Sequence, residues 1–284
     1  MSDDVVIVIV AGLVATACGL LGPFLVLRRM ALLSDAVSHA VLPGIVAVWL
    51  IGQTRAPLPV ILGAVVFAVL CVLAIDALRA SRLVASDAAI ALTFPALFSL
   101  GVLGVTRFAE GIHLDLDSTI YGEIAFTPFD TVTVAGFQFA RAAVVLAVVT
   151  AFNALFVGLV WKELKATTFD PEFSTTIRLR PRLLSRLLLG AVAVTAVASF
   201  EAVGAILVVT MLIVPAATAY LLTERLTMMV GLTVAVGWFG AIAGHRVALA
   251  LNSSIGGAVG LTCVACFAAA LLIRVATRRV VRSS

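Results

Sequence analysis

Asp35 and His39 stand four positions apart inside an apolar run that extends from Met30 to Leu50. On a helix, residues at i and i+4 share one face with Cβ atoms about 5–6 Å apart, so carboxylate and imidazole can converge on one object, with Ser38 at its border. An acid at membrane depth costs about 3 kcal/mol on insertion scales, and ionisable groups in that position mark ion or substrate pathways. Carboxylate plus imidazole suits a first-row divalent metal, and a set weighted to oxygen leans towards manganese over zinc. The local alternative makes Asp35 a helix cap after Arg28 and Arg29, with His39 bonded to a neighbouring carbonyl. Pro43 and Gly44 follow, a pair that weakens or bends a helix, and interrupted helices are where transporters hold substrates. Glu201 is the other acid in an apolar run, between Phe200 and Ala202. Its plainer reading is an exposed turn residue between two short spans.

The setting of these residues is a chain of 284 residues, 63% hydrophobic and 12% charged, with a mean hydropathy of +1.21. Soluble proteins average about 45–50% apolar and 25% charged. The composition therefore predicts an all-α, polytopic integral membrane protein, read as one domain over 1–284. Apolar segments fall at 5–27, 31–51, 58–78, 88–106, 141–161, 187–200, 202–222, 228–245 and 255–273, most near the roughly 20 residues a helix needs to span. That gives eight to nine transmembrane helices. The uncertain stretch is 187–222, which reads either as two short spans or as one span followed by a re-entrant or broken helix.

Basic residues fall in the short links, so the net charge of +4 is a matter of topology and not of nucleic-acid binding. With the N-terminus outside and the segments alternating, only Arg55, Arg107, Arg141 and Arg246 remain outside, and the other fifteen basic residues fall inside. The positive-inside rule thus predicts an external N-terminus and a cytoplasmic C-terminus. The acidic start Met1-Ser2-Asp3-Asp4 lacks a basic leader, so the first apolar run is expected to be a retained span. Cys18, Cys71, Cys263 and Cys266 all lie in apolar runs and are expected to act as compact apolar residues, despite the ligand-like spacing of the last two.

The outer link from Arg107 to Ala140 carries Glu110, Asp115, Asp117, Glu123 and Asp130. His113, Asp115 and Asp117 alternate with leucines, which suits either a solvated strand-like loop or a gathering point for metal; either way the acidity concentrates cations at the outer mouth. The inner link from Lys162 to Arg186 contains Phe169-Asp170-Pro171-Glu172-Phe173. Asp170 reads as an N-cap, Pro171 as the first helical residue and Glu172 as an acid of the first turn, giving a short surface helix. It is either a plain connector or a docking element for a soluble partner. Lys162 and Lys165 lack any glycine-rich phosphate-binding lead-in, so ATP must be hydrolysed elsewhere if it drives transport. No catalytic set for an intramembrane enzyme is present. An ion-coupled secondary carrier, with Asp35 and Glu201 carrying protons or cations, is the alternative that uses no nucleotide.

Three stretches resemble one family. The run from Gly22 to Gly44, containing Asp35 and His39, is similar to the signature segment of the zinc/manganese/iron family of ABC importer permeases. Phe169 to Phe173 resembles that family's cytoplasmic coupling segment, and Val203 to Ala219, continuing to Arg225, resembles its late motif. The resemblance spans essentially the whole chain. It implies a type II importer permease fold, with a coupling segment at about 166–182. It also implies two permease subunits around a central path, cytoplasmic ATP-binding subunits, and an extracytoplasmic metal-binding protein. Asp35 and His39 would take the role of metal-coordinating pore residues, with Glu201 a third, while Phe169, Asp170, Pro171, Glu172 and Phe173 would engage the ATPase. No permanent cofactor is implied, only a transported divalent metal. The stretches 112–118 and 199–204 look more like the manganese/iron members, which favours manganese, with zinc or iron as the other cargoes. Ser174 to Arg178 departs from the Ala/Arg-rich pattern of many relatives.

Overall fold

A computed structural model of the chain describes residues 3–30, 36, 39–52, 57–108, 124–134 and 137–283. They form eleven α-helices and one small hairpin: α1 (Asp3–Leu27), α2 (Val41–Gly52), α3 (Pro57–Ala80), α4 (Ser86–Phe108), β1 (Thr131–Val134), β2 (Phe137–Ala140), α5 (Arg141–Leu159), α6 (Trp161–Phe169), α7 (Pro171–Thr176), α8 (Pro181–Val203), α9 (Ala205–Leu222), α10 (Leu226–Leu251) and α11 (Ile255–Ser283). Among the described residues, eight helices are long and apolar enough to cross a membrane, and α2 is a shorter apolar one.

The most apolar run makes the hub. Val10, Val14, Ala17, Leu21 and Phe24 of α1 are fully buried, because α5, α8, α9 and α10 all pack around it. Helices α2, α3 and α4 pack on one another and join the rest chiefly through α3 on α8. Small residues permit the close crossings that hold membrane helices together where lipid offers no hydrophobic drive.

Side-chain bonds fix which ends lie together. Arg28, just beyond α1, reaches Thr167 and Thr168 of α6 and Ser185 of α8. Arg186 of α8 pairs with Asp76 near the end of α3 at 3.1 Å, and Arg274 of α11 donates to the Tyr220 and Leu221 carbonyls at the end of α9. The opposite end is marked by His245 of α10, 3.1 Å from Asp4 of α1. Arg29, Arg79, Lys162, Lys165, Arg178 and Arg225 belong with the first end by the same alternation, whereas Arg107, Arg141 and Arg246 belong with the second.

The ambiguous stretch 187–222 resolves into two helices, α8 of 23 residues and α9 of 18. Helix α8 starts six residues before its apolar run, at Pro181, so Arg182 and Arg186 contribute the turns that bring it to spanning length. Gly204 separates the pair at φ 78°, ψ 161°, a conformation essentially restricted to glycine. Helix α9 continues through Pro215 without ending.

Candidate metal path and coupling face

His39 is half-buried immediately before α2. Its ring stacks on Phe94 with centroids 5.4 Å apart and planes at 28°, and meets Phe98 edge-on at 5.5 Å and 78°. The two phenylalanines are i and i+4 on α4, so one helix face supplies both contacts. Counting 1.5 Å per residue from Ser86, they lie about 12 and 18 Å along α4, near its middle. A ring held at its face and edge has its orientation set before any ligand arrives.

Two features place this histidine. The Ala40 amide donates to the Ala36 carbonyl at 3.2 Å, and Cys71 of α3 donates to the same carbonyl at 3.8 Å. Then α2 crosses α3 at Gly44: a Cβ there would lie 2.5 Å from the Gly63 carbonyl oxygen and 2.7 Å from the Ala64 Cα. Backbone approach this close requires glycine. The Pro43–Gly44 pair therefore falls at the start of α2, with Pro43 at its third position.

Asp35 lies outside the described residues, as do Glu110, His113, Asp115, Asp117 and Glu123 of the acidic link. Glu201 sits in the last turn of α8, three residues before Gly204, and only its backbone is described. From the Arg186–Asp76 pair, Glu201 lies about 22 Å along α8, whereas Cys71, level with Ala36, lies about 8 Å along α3. Glu201 is thus well beyond the His39 turn towards the opposite end, and no described contact joins the two.

The stretch from Phe169 to Phe173 folds as its sequence predicts. The Phe173 amide donates to Asp170 Oδ1 at 2.8 Å, with Pro171 at the first helical position of α7. Ser174 is buried, whereas Phe169 and Phe173 are 57% and 56% exposed. Helix α7 closes through Arg178 in the left-handed region, φ 62°, as the Leu179 amide donates back to the Ser174 carbonyl at 3.0 Å. Beside it a cleft of about 660 Å³ is lined by Glu172, Thr175, Arg180, Pro181, Arg182, Leu183 and Arg186. Two exposed aromatic anchors next to a charged cleft are what a docking surface needs.

Residues 5–276 match the ABC 3 transport family. This chain belongs to that family. It is 40% identical to the manganese transport system membrane protein MntD of Bacillus subtilis over 96% of this chain and 92% of that one. It is also 40% identical to the zinc transport system membrane protein TroD of Treponema pallidum, over 74% of this chain and 57% of that one. Among solved structures, PsaBC from Streptococcus pneumoniae in complex with Fab superposes with a TM-score of 0.78 at 27% identity, covering 95% of this chain and 91% of that one. The helical arrangement is thus the permease fold of the ABC 3 transport family. The resemblance stated from three short stretches extends over nearly the full length.

The sequence reading passed over the hairpin. Thr131 pairs with Ala140 and Val134 with Phe137, antiparallel, and the base is closed by the Arg141 amide donating to the Asp130 carbonyl at 2.9 Å. The alternation of Thr131-Val132-Thr133-Val134 was the available signal. Of the four cysteines, Cys18, Cys71 and Cys263 are buried and Cys266 is half-buried.

Proposed function

We propose that this chain is the membrane-spanning permease subunit of an ATP-binding cassette importer that carries a divalent metal, manganese before zinc or iron, into the cytoplasm. The observation that carries the reading is the similarity to a manganese transport membrane protein over 96% of the chain. The chain acts as one permease unit in a prokaryotic plasma membrane, its N-terminus outside. A second permease subunit completes the path, and a separate extracytoplasmic protein delivers the ion. Energy comes from an ATP-binding subunit docked on Phe169 to Phe173.

In this mechanism Asp35 and His39 share one transient metal site. The carboxylate supplies charge compensation, and the imidazole, oriented by Phe94 and Phe98, supplies a nitrogen ligand. Glu201 offers an oxygen at a different height, so it takes or releases the ion as a successive station. Ligation by few groups keeps binding weak enough for release, as conduction requires.

The test is metal uptake by cells expressing variants, together with recovery of the complex. Asp35→Ala and His39→Ala are each expected to abolish manganese uptake while the ATP-binding subunit still co-purifies; Glu201→Ala is expected to leave a measurable residue. Normal uptake by both Asp35→Ala and His39→Ala removes the site assignment. Accumulation of manganese by the purified chain alone under a proton gradient replaces the importer with a secondary carrier. Competition among manganese, zinc and iron assigns the cargo.

A further inference from the structure

We propose that Arg28 is a positioning strut that ties the coupling segment to the end of α1, from which the chain runs on to Asp35 and His39. The proposal rests on the permease reading above and adds the route by which a push on α6 and α7 reaches the metal site.

The guanidinium of Arg28 donates from Nε to Thr168 Oγ1 at 3.0 Å, from Nη2 to Thr167 Oγ1 at 2.8 Å and from Nη1 to Ser185 Oγ at 2.8 Å. Three bonds therefore reach two elements, α6 and α8, from a residue that belongs to a third. The threonine hydroxyls are fully committed: Thr167 donates to the Glu163 carbonyl at 2.7 Å and Thr168 to the Leu164 carbonyl at 2.6 Å. Each can only accept from Arg28, and the arginine cannot shift without breaking bonds on α6.

The charge is held in an unusual way. None of the three partners is a carboxylate, and burial pushes the Arg28 pKa below its ordinary value, although a guanidinium stays charged throughout the physiological range. Two of its partners lie in the last turn of α6, Trp161–Phe169, and the carbonyl end of a helix favours a cation. Thr167 and Thr168 present that end to the cation. An ion pair on a flexible lysine stem would tolerate sliding, whereas the planar fork fixes direction.

The other side of the strut is equally rigid. Helix α1 ends with the Arg29 amide donating to the Val26 carbonyl at 3.1 Å and the Met30 amide to the Leu25 carbonyl at 2.9 Å. Arg29 is left-handed at φ 57°. This double closure is a Schellman motif, which sets the direction in which the chain leaves the helix. A displacement of α6 is thereby imposed on Arg28, and through the closed end of α1 on the segment that leads to the metal ligands.

The experiment reconstitutes the permease with its ATP-binding subunit and metal-loaded binding protein in vesicles, and measures manganese taken up per ATP hydrolysed. Arg28→Lys is expected to assemble and hydrolyse ATP while uptake per ATP falls about tenfold, the equivalent of about one lost charge-assisted hydrogen bond. Replacing both threonines, Thr167→Val with Thr168→Val, should reproduce that loss, and Thr167→Ser with Thr168→Ser should restore coupling, since serine keeps the accepting oxygens. Wild-type uptake per ATP in both Arg28→Lys and the valine pair overturns the strut alone. Loss of the ATP-binding subunit from both the valine and the serine pairs also overturns it, because the contact would then serve docking. Absence of ATP-driven uptake in the wild-type complex overturns the permease reading, and the strut with it.

Discussion

Asn153 is fully buried among α1, α5 and α8, and its amide donates to the Ala17 carbonyl at 3.1 Å and to Thr195 Oγ1 at 2.8 Å. Thr195 gives its own proton to the Ala191 carbonyl at 2.7 Å, so it can only accept, and the amide cannot be turned over. Asn153 Oδ1 finds no donor among the described residues. Truncating Asn153→Ala therefore removes two bonds that cross helices, at a cost of about 1 kcal/mol on the scale measured for hydrogen bonds between membrane helices. The expected result is a lower thermal unfolding midpoint in detergent with metal uptake retained, read by a thermal-shift assay and by transport. Asn153 and Arg28 also show where sequence reading stops at this scale. Asp35, His39 and Glu201 stand out as candidates one residue at a time, because an ionisable group in an apolar run is costly wherever it points. Arg28 looked like one more inner-side charge, since its partners lie 139, 140 and 157 residues away.

Elements were legible to the extent that hydrophobic length defines them. The runs 88–106 and 141–161 correspond to α4 and α5 within two residues at each end, because a span is set by the thickness of the hydrocarbon. What one-dimensional hydropathy could not resolve was 187–222, where the separator is one glycine and not a polar loop. The hairpin was missed because four-residue strands in an acidic link carry little signal. Crossings are a further level down: Gly44 was read as a helix breaker, yet its use is to let α2 approach α3. Gly44→Ala places a methyl against the Gly63 carbonyl and the Ala64 Cα, both backbone atoms that cannot turn away. Overpacking of this kind costs about 1–3 kcal/mol. Because α2 follows His39 directly, the variant should lose uptake along with stability. A second, compensating shift of α2 would instead preserve uptake at a reduced melting midpoint, so measuring both separates rigid from adaptable positioning of the histidine.

For the molecule as a whole, the two ends of the bundle differ in charge, and that difference should decide how it sits in the membrane. Most of the basic residues gather where Arg28, Arg186 and Arg274 make their bonds, while the other end holds Asp4 with His245 and few arginines. Retention of lysine and arginine on the cytoplasmic side predicts that the first end is the inner one. The exposed links allow a direct check. Ser253 lies between α10 and α11 at the sparsely charged end, and Glu224 lies between α9 and α10 at the basic end; both are exposed. Three native cysteines are buried and the fourth is half-buried within α11, so a membrane-impermeant maleimide should report chiefly on an introduced thiol. Ser253→Cys is expected to label in intact cells, and Glu224→Cys only after the membrane is opened. The reverse pattern would put Phe169 and Phe173 outside, beyond the reach of any cytoplasmic ATPase, and would remove the coupling face, the Arg28 strut and the direction of transport together.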